Sequence, residues 1–200
     1  MQLLTNGMSP YGRKVMIVMH ELDLSDRVTL VGAQPRERPD QVVRHNPLGK
    51  IPVLITDSGQ TIVDSPVICE FLDAEYGGNR LVPASGAKRW EVLATVAAAD
   101  GIIEAAVLVR NERLRPAEQQ SAGFIDWHAQ KVRRSLDAFE GRAAGLLRTF
   151  DLGVIALGCA LSYVPRRLQE FEALKDWPRL GAFAAELSQR PSFAATAPSN

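Results

Sequence analysis

The chain has 200 residues, 46 % of them apolar, enough for one large domain or two small ones with a sizeable core. Its 23 basic side chains balance 23 acidic ones, so the charge gives no reason to expect a nucleic-acid partner or a membrane surface. Arg13 and Lys14 interrupt any N-terminal signal segment and no apolar run approaches about 18 residues, so a cytoplasmic protein that spans no membrane is expected.

In chain order, Gln2–Thr5 reads as a short strand and Asn6-Gly7-Met8 as a turn. Ser9-Pro10 is a helix start, with Ser as N-cap and Pro in the first helical position. That helix is predicted to run to about Leu22, burying Val15, Ile17, Val18, Met19 and Leu22. Val28–Val31 is a second strand, and a strand-helix-strand unit favours a parallel pair. After a charged connection, a short helix is expected around Asp40–His45.

The chain is organised around Asn46-Pro47-Leu48-Gly49-Lys50-Ile51-Pro52-Val53-Leu54, which begins as a loop and ends as a strand. Pro52 stands at the strand entrance, where a missing N–H is tolerated. An X–Pro bond there can be cis, leaving the Ile51 N–H and C=O outside the sheet and available to an extended peptide. Thr61–Val63 is the returning strand of a hairpin, and Asp64-Ser65-Pro66 opens a third helix, with Ser65 the expected N-cap, reaching about Tyr76. Gly78 to Ser85 reads as a linker.

Strand signals then disappear. A helix is predicted from Trp90 to Arg113, and another from Pro116 to about Ala144 with Phe124, Trp127, Val132, Leu136 and Phe139 on its buried face. Asp151 to Tyr163 is apolar all round and reads as a central helix ended by Pro165. Pro178 to Arg190 is a last amphipathic helix, before a polar tail, Pro198-Ser199-Asn200. Cys69 and Cys159 fall in apolar helical patterns, where buried free thiols are expected, and no Cys/His spacing suggests a metal.

The run Asn46 to Pro52, the pair Asp64-Ser65 and the start Ser9-Pro10-Tyr11-Gly12-Arg13-Lys14 together resemble the glutathione S-transferase family, in its serine-type members. The likeness extends over the helical half, including Trp177-Pro178 and Arg190-Pro191-Ser192-Phe193. It departs at Asp151, where the third residue on is Val154, so the reciprocal partner of a capping box is missing. The resemblance implies an α/β thioredoxin-like domain (βαβ-α-ββα) over 1–77, a linker over 78–84 and an all-α domain over 85–200 that contributes the electrophile pocket. It implies glutathione as co-substrate, no metal, an apolar electrophile as second substrate and a homodimer.

On that resemblance Ser9 is the catalytic residue. A free thiol has a pKa near 8.5 and is mostly protonated at neutral pH. A hydrogen bond to a charged group contributes about 1.5–3 kcal/mol, and at ~1.36 kcal/mol per unit a Ser9 Oγ–H donated to sulfur lowers that pKa by one to two units. Tyr11, two residues on, is the competitor for the same donation. Lys50 either meets a glutathione carboxylate or is a solvated loop lysine. Ile51 and Pro52 supply backbone. Ser65 and its N–H receive the γ-glutamyl carboxylate, and Asp64 either lies near the γ-glutamyl amine or is only a hairpin residue or a helix-flanking acid. Asn46 either contacts the ligand or shapes the loop. Asp100 faces solvent, bonds another helix or reaches a partner subunit's ligand, and Arg110 is a candidate for the electrophile pocket. Because no cysteine stands at position 9, thiol-disulfide exchange is not expected. The alternatives are a binding or regulatory module without turnover, and a glutathione-dependent isomerase, dehalogenase or peroxidase.

Overall fold

The computed structural model describes residues 1–146 and 149–198. These form two compact units, one of Met1–Glu91 with the described residues from Arg190 onward, and one of Val92–Gln189. Ser199 and Asn200 of the expected tail lie outside the described residues.

The first unit is a four-stranded sheet in the order β2-β1-β3-β4, from β1 (Gln2–Thr5), β2 (Thr29–Gly32), β3 (Val53–Ile55) and β4 (Thr61–Val63). β2 runs parallel to β1, while β3 is antiparallel to both β1 and β4. The parallel pair needs a crossover, and α1 (Pro10–Glu21) supplies it. On one sheet face Leu4 and Val53 pack with Ala33 and with Val42 of α2 (Asp40–Val43), flanked by Ile51 and Ile55. Strand alternation sends Leu3 and Leu54 to the other face. The burial of Val15, Ile17, Val18 and Met19 agrees with the helical spacing.

The third helix differs from expectation at both ends. α3 is Ser65–Leu72, and its N-cap is Asp64, whose carboxylate accepts the Ser65 N–H. Ser65 is therefore the first helical residue, not the cap. The helix then widens into a π turn over Asp73–Gly77. At its start, buried Asp73 accepts the N–H groups of Leu81 and Val82 on Oδ2, at 3.0 and 2.7 Å. That satisfies two donors of the connection that follows.

In the second unit the core helix is α7 (Leu152–Arg167), in which every residue from Leu152 to Leu161 is buried. Pro165 lies within its last turns instead of ending it. Asp151 Oδ1 accepts the Val154 N–H at 3.1 Å, so the helix is capped without the reciprocal carboxylate. α4 (Ala87–Arg113) has the length and hydropathy of a membrane span, with an 18-residue window of mean hydropathy 2.0. The reading that no stretch approaches such a span is corrected to that extent. Yet α4 carries Asp100 and Glu104 and buries Val96, Ala99, Ile102, Ile103, Ala106 and Val109, the spacing of a core helix.

The helix expected from Pro116 begins later. α5 is Ala122–Glu140, capped by Ser121, because Pro116 is extended (φ −49°, ψ 140°) and precedes only a short 3-10 turn. Its buried stripe is His128, Val132, Leu136 and Phe139; Phe124 and Trp127 are exposed. The short α6 (Ala143–Leu146) follows. Glu140 then receives the Arg179 and Leu180 N–H groups, both at 2.9 Å, and so caps α8 (Pro178–Ser188) from a distance. The chain closes with α9 (Pro191–Ala195), which the sequence reading places in no element.

Candidate functional site

Strand register gathers the candidate residues of the first unit. β1 leaves the sheet at Thr5, just before Ser9. Val53 stands opposite Leu4, so the Ile51-Pro52 corner enters beside that exit. Val63 stands opposite Val53, so Asp64 and Ser65 leave on the next strand over. Ser9, Ile51-Pro52 and Asp64-Ser65 thus border one end of three adjacent strands. Neighbouring strands are about 4.8 Å apart, so this rim is on the order of 10 Å wide.

Ser9 is the N-cap of α1 (φ −76°, ψ 116°) and is half-buried. Its Oγ accepts the Gly12 N–H at 3.1 Å, which occupies an oxygen lone pair and leaves the hydroxyl proton uncommitted. Glycine at position 12 has a steric cause: a Cβ there would lie 1.8 Å from Thr5 Oγ1. The turn bearing Ser9 therefore sits directly on the end of β1. Tyr11, in the first turn of α1, is half-buried, with Lys14 Nζ 5.8 Å from its ring centroid.

Asn46 is buried and shapes the loop. Its Nδ2 donates to Lys50 O at 2.9 Å and its Oδ1 accepts Leu48 N–H at 3.1 Å. Gly49, at φ +63°, completes that turn. Lys50 is exposed. The Ile51 side chain packs against the core cluster, and the Ile51–Pro52 peptide bond is cis. Neither the N–H nor the C=O of Ile51 has a hydrogen-bond partner among the described residues.

Asp64 holds a backbone that L-residues rarely adopt (φ 67°, ψ 133°). Such strain costs about 1–3 kcal/mol and gathers at functional sites. Its Oδ1 takes the Ser65 N–H at 2.8 Å. Ser65 is fully buried and its Oγ has no partner among the described residues. A buried hydroxyl left unpaired costs about 1–3 kcal/mol, so the protein keeps here a donor that a ligand can satisfy.

Asp100 and Arg110 lie on α4 within the second unit, both half-buried, and Arg110 reaches the Asn111 side chain at 3.5 Å. The first unit's rim is not built from them. Among the described residues no group of three or more His, Cys, Asp or Glu is placed to hold a metal ion. Sequence reasoning missed the capping role of Asp64: Asp and Ser are both good caps, and Pro66, favoured in the first helical position, points to Ser65 instead.

The chain is similar to several known proteins. The family model for the N-terminal domain of glutathione S-transferases matches residues 8–75. An uncharacterized GST-like protein of Escherichia coli, YibF, is 33 % identical over 99 % of this chain and 98 % of its own length. A protein of Vibrio cholerae with the name "probable maleylacetoacetate isomerase" is 32 % identical over 78 % of this chain and 75 % of its own. The crystal structure of a glutathione transferase family member from Pseudomonas fluorescens, with glutathione bound, superposes with a TM-score of 0.95. It is 42 % identical and covers 100 % of this chain and 99 % of that one.

Proposed function

We propose that this chain, which belongs to the glutathione S-transferase family, binds glutathione on its first unit and transfers the glutathione thiolate to a small apolar electrophile. The carrying observation is the state of Ser9: its oxygen caps the helix by accepting from Gly12, and its proton is free to be given to sulfur. The rim of on the order of 10 Å suits a tripeptide, whose residues each reach about 3.3–3.6 Å. Ser65 Oγ and the end of α3 hold the γ-glutamyl carboxylate, Asp64 faces the γ-glutamyl amine, the Ile51 backbone pairs with the peptide, and Lys50 meets a carboxylate from solvent. Asn46 acts by folding the loop that delivers Lys50 and Ile51. Asp100 and Arg110 are proposed to belong to the electrophile side, in an all-helical domain running from about residue 85. A cytoplasmic homodimer acting in detoxification completes the reading.

In the reaction, the thiol proton passes to solvent and the Ser9 O–H steadies the anion left behind. The sulfur lone pair then forms the C–S bond as the leaving group departs with its electron pair. The test is the pH profile of conjugation of an activated aryl halide. With Ser9→Ala the rate at pH 7 is expected to fall about tenfold, and the profile to move one to two units alkaline. An unchanged profile would transfer the donor role to Tyr11.

The similarity to the Vibrio cholerae protein favours a second reading, glutathione-dependent isomerisation. Conjugation consumes glutathione; isomerisation adds and then expels it. Following a cis-enone diacid and glutathione together by NMR separates the two: conversion of the enone at constant glutathione identifies the isomerase.

A further inference from the structure

The last described residues belong to the first unit, although about a hundred residues of the second unit intervene. They lie along α1, the helix that carries Ser9. Ser9, Arg13, Ile17 and Glu21 are spaced by four, one ridge of that helix. Arg13 is 7 % exposed, and its Nη2 donates to Phe193 O at 3.1 Å. Its guanidinium carbon stands 5.5 Å from the centre of the Phe193 ring, itself 3 % exposed. At the far end of the ridge, Arg190 grips Glu21 with Nε and Nη2, each at 2.7 Å, and Ser192 Oγ donates to the same carboxylate. Thr196 Oγ1 ties the segment to itself, donating to Ser192 O at 2.7 Å.

Burying a guanidinium is costly unless its donors and its flat faces find partners. Phe193 supplies a carbonyl and a ring from the segment 190–196. Arg13 also donates its own N–H to Ser9 O at 2.9 Å, closing the first turn of α1. Through its side chain and its N–H, Arg13 thus links the segment to the turn beneath Ser9. We infer that residues 190–196 are a clasp that fixes the first turn of α1, and that Arg13 is a positioning residue for Ser9. This rests on the assignment of Ser9 as thiolate donor.

The full chain tests it, as Arg13→Gln and, from the clasp side, Arg190→Gln, so that a folding failure of one leaves the other. Two readouts are combined. Hydrogen exchange at the Gly12 amide, whose acceptor is Ser9 Oγ, reads the turn directly and needs no ligand. It is expected to quicken about tenfold in either variant. The thiol pKa of bound glutathione is expected to rise by part of the Ser9→Ala shift, while affinity stays within about threefold; with Ser9→Ala already present, neither variant should move it further. Unchanged Gly12 exchange would overturn the clasp. A thiol shift that persists in the Ser9→Ala background would overturn Arg13 as a positioner of Ser9. If Ser9→Ala itself leaves the thiol pKa in place, the catalytic assignment and the positioning role fall together, and Gly12 exchange still decides the clasp.

Discussion

Three residues show how local chemistry prepares the rim. Ser65 is buried with its hydroxyl unpaired, so removing that hydroxyl relieves a cost in the free protein and takes a donor from the ligand. Ser65→Ala is therefore expected to leave the melting temperature unchanged or raised while weakening glutathione binding about tenfold, on the order of 1.4 kcal/mol. Differential scanning calorimetry with a binding titration checks both halves; a loss of stability with intact affinity would contradict it. Gly12 lies against Thr5, so Gly12→Ala is expected to destabilise by about 1–3 kcal/mol through overpacking, and Thr5→Ala in the same chain to recover part of the loss. Chemical denaturation of the single and double variants would show it, and additive losses would rule out the contact. The N-cap serine was legible from Ser-Pro at a helix start. The bond from Arg13 to Phe193 was not, because it joins residues 180 apart in the chain.

At the scale of elements, the ends of helices separate what sequence can give from what packing decides. The Asn46–Val53 run was legible because glycine, proline and an apolar run punctuate it strongly. The start of α3 was shifted by one residue, because Asp64, at a positive φ, takes the cap that Ser65 was expected to hold. The stripe on α5 was misplaced by Phe124 and Trp127, since apolar spacing alone does not say which of two overlapping faces is covered. Five-residue α9 was invisible, being held by Glu21 and Arg13 and not by its own propensity. Glu21 makes this testable by pH. Its carboxyl lies below the ordinary glutamate range, chiefly because Arg190 hydrogen-bonds it, with Ser192 adding and burial opposing. A lowered folded pKa means that the clasp contributes stability above the unfolded value, near 4.5, and loses it as pH falls through the lower folded one. The wild type is expected to lose stability more steeply below that value than Glu21→Gln; equal acid slopes in denaturation would contradict the linkage. For α7, Asp151→Ala is expected to cost about 0.5–2 kcal/mol, since Asp151 Oδ1 caps the helix through the Val154 N–H; an unchanged denaturation midpoint would show the cap to be idle.

At the scale of the whole molecule, the chain is two compact units. The first supplies strand exits, a cis corner and two helix starts at one end of a sheet, an arrangement suited to an extended peptide and its anionic sulfur. The second is an all-helical body around α7. The family is shown by a relative and by a solved structure that cover nearly the whole chain. The central claim is that the first unit binds glutathione and makes its thiol acidic through Ser9. The most direct measurement is calorimetric titration of reduced glutathione into the wild type and Ser9→Ala, with thiolate absorbance followed against pH. The account predicts saturable binding by both proteins, with the bound thiol pKa one to two units below its free value of about 8.5 in the wild type and near that value in the variant. Wild-type binding without a lowered thiol pKa, or no binding at millimolar glutathione, would contradict it.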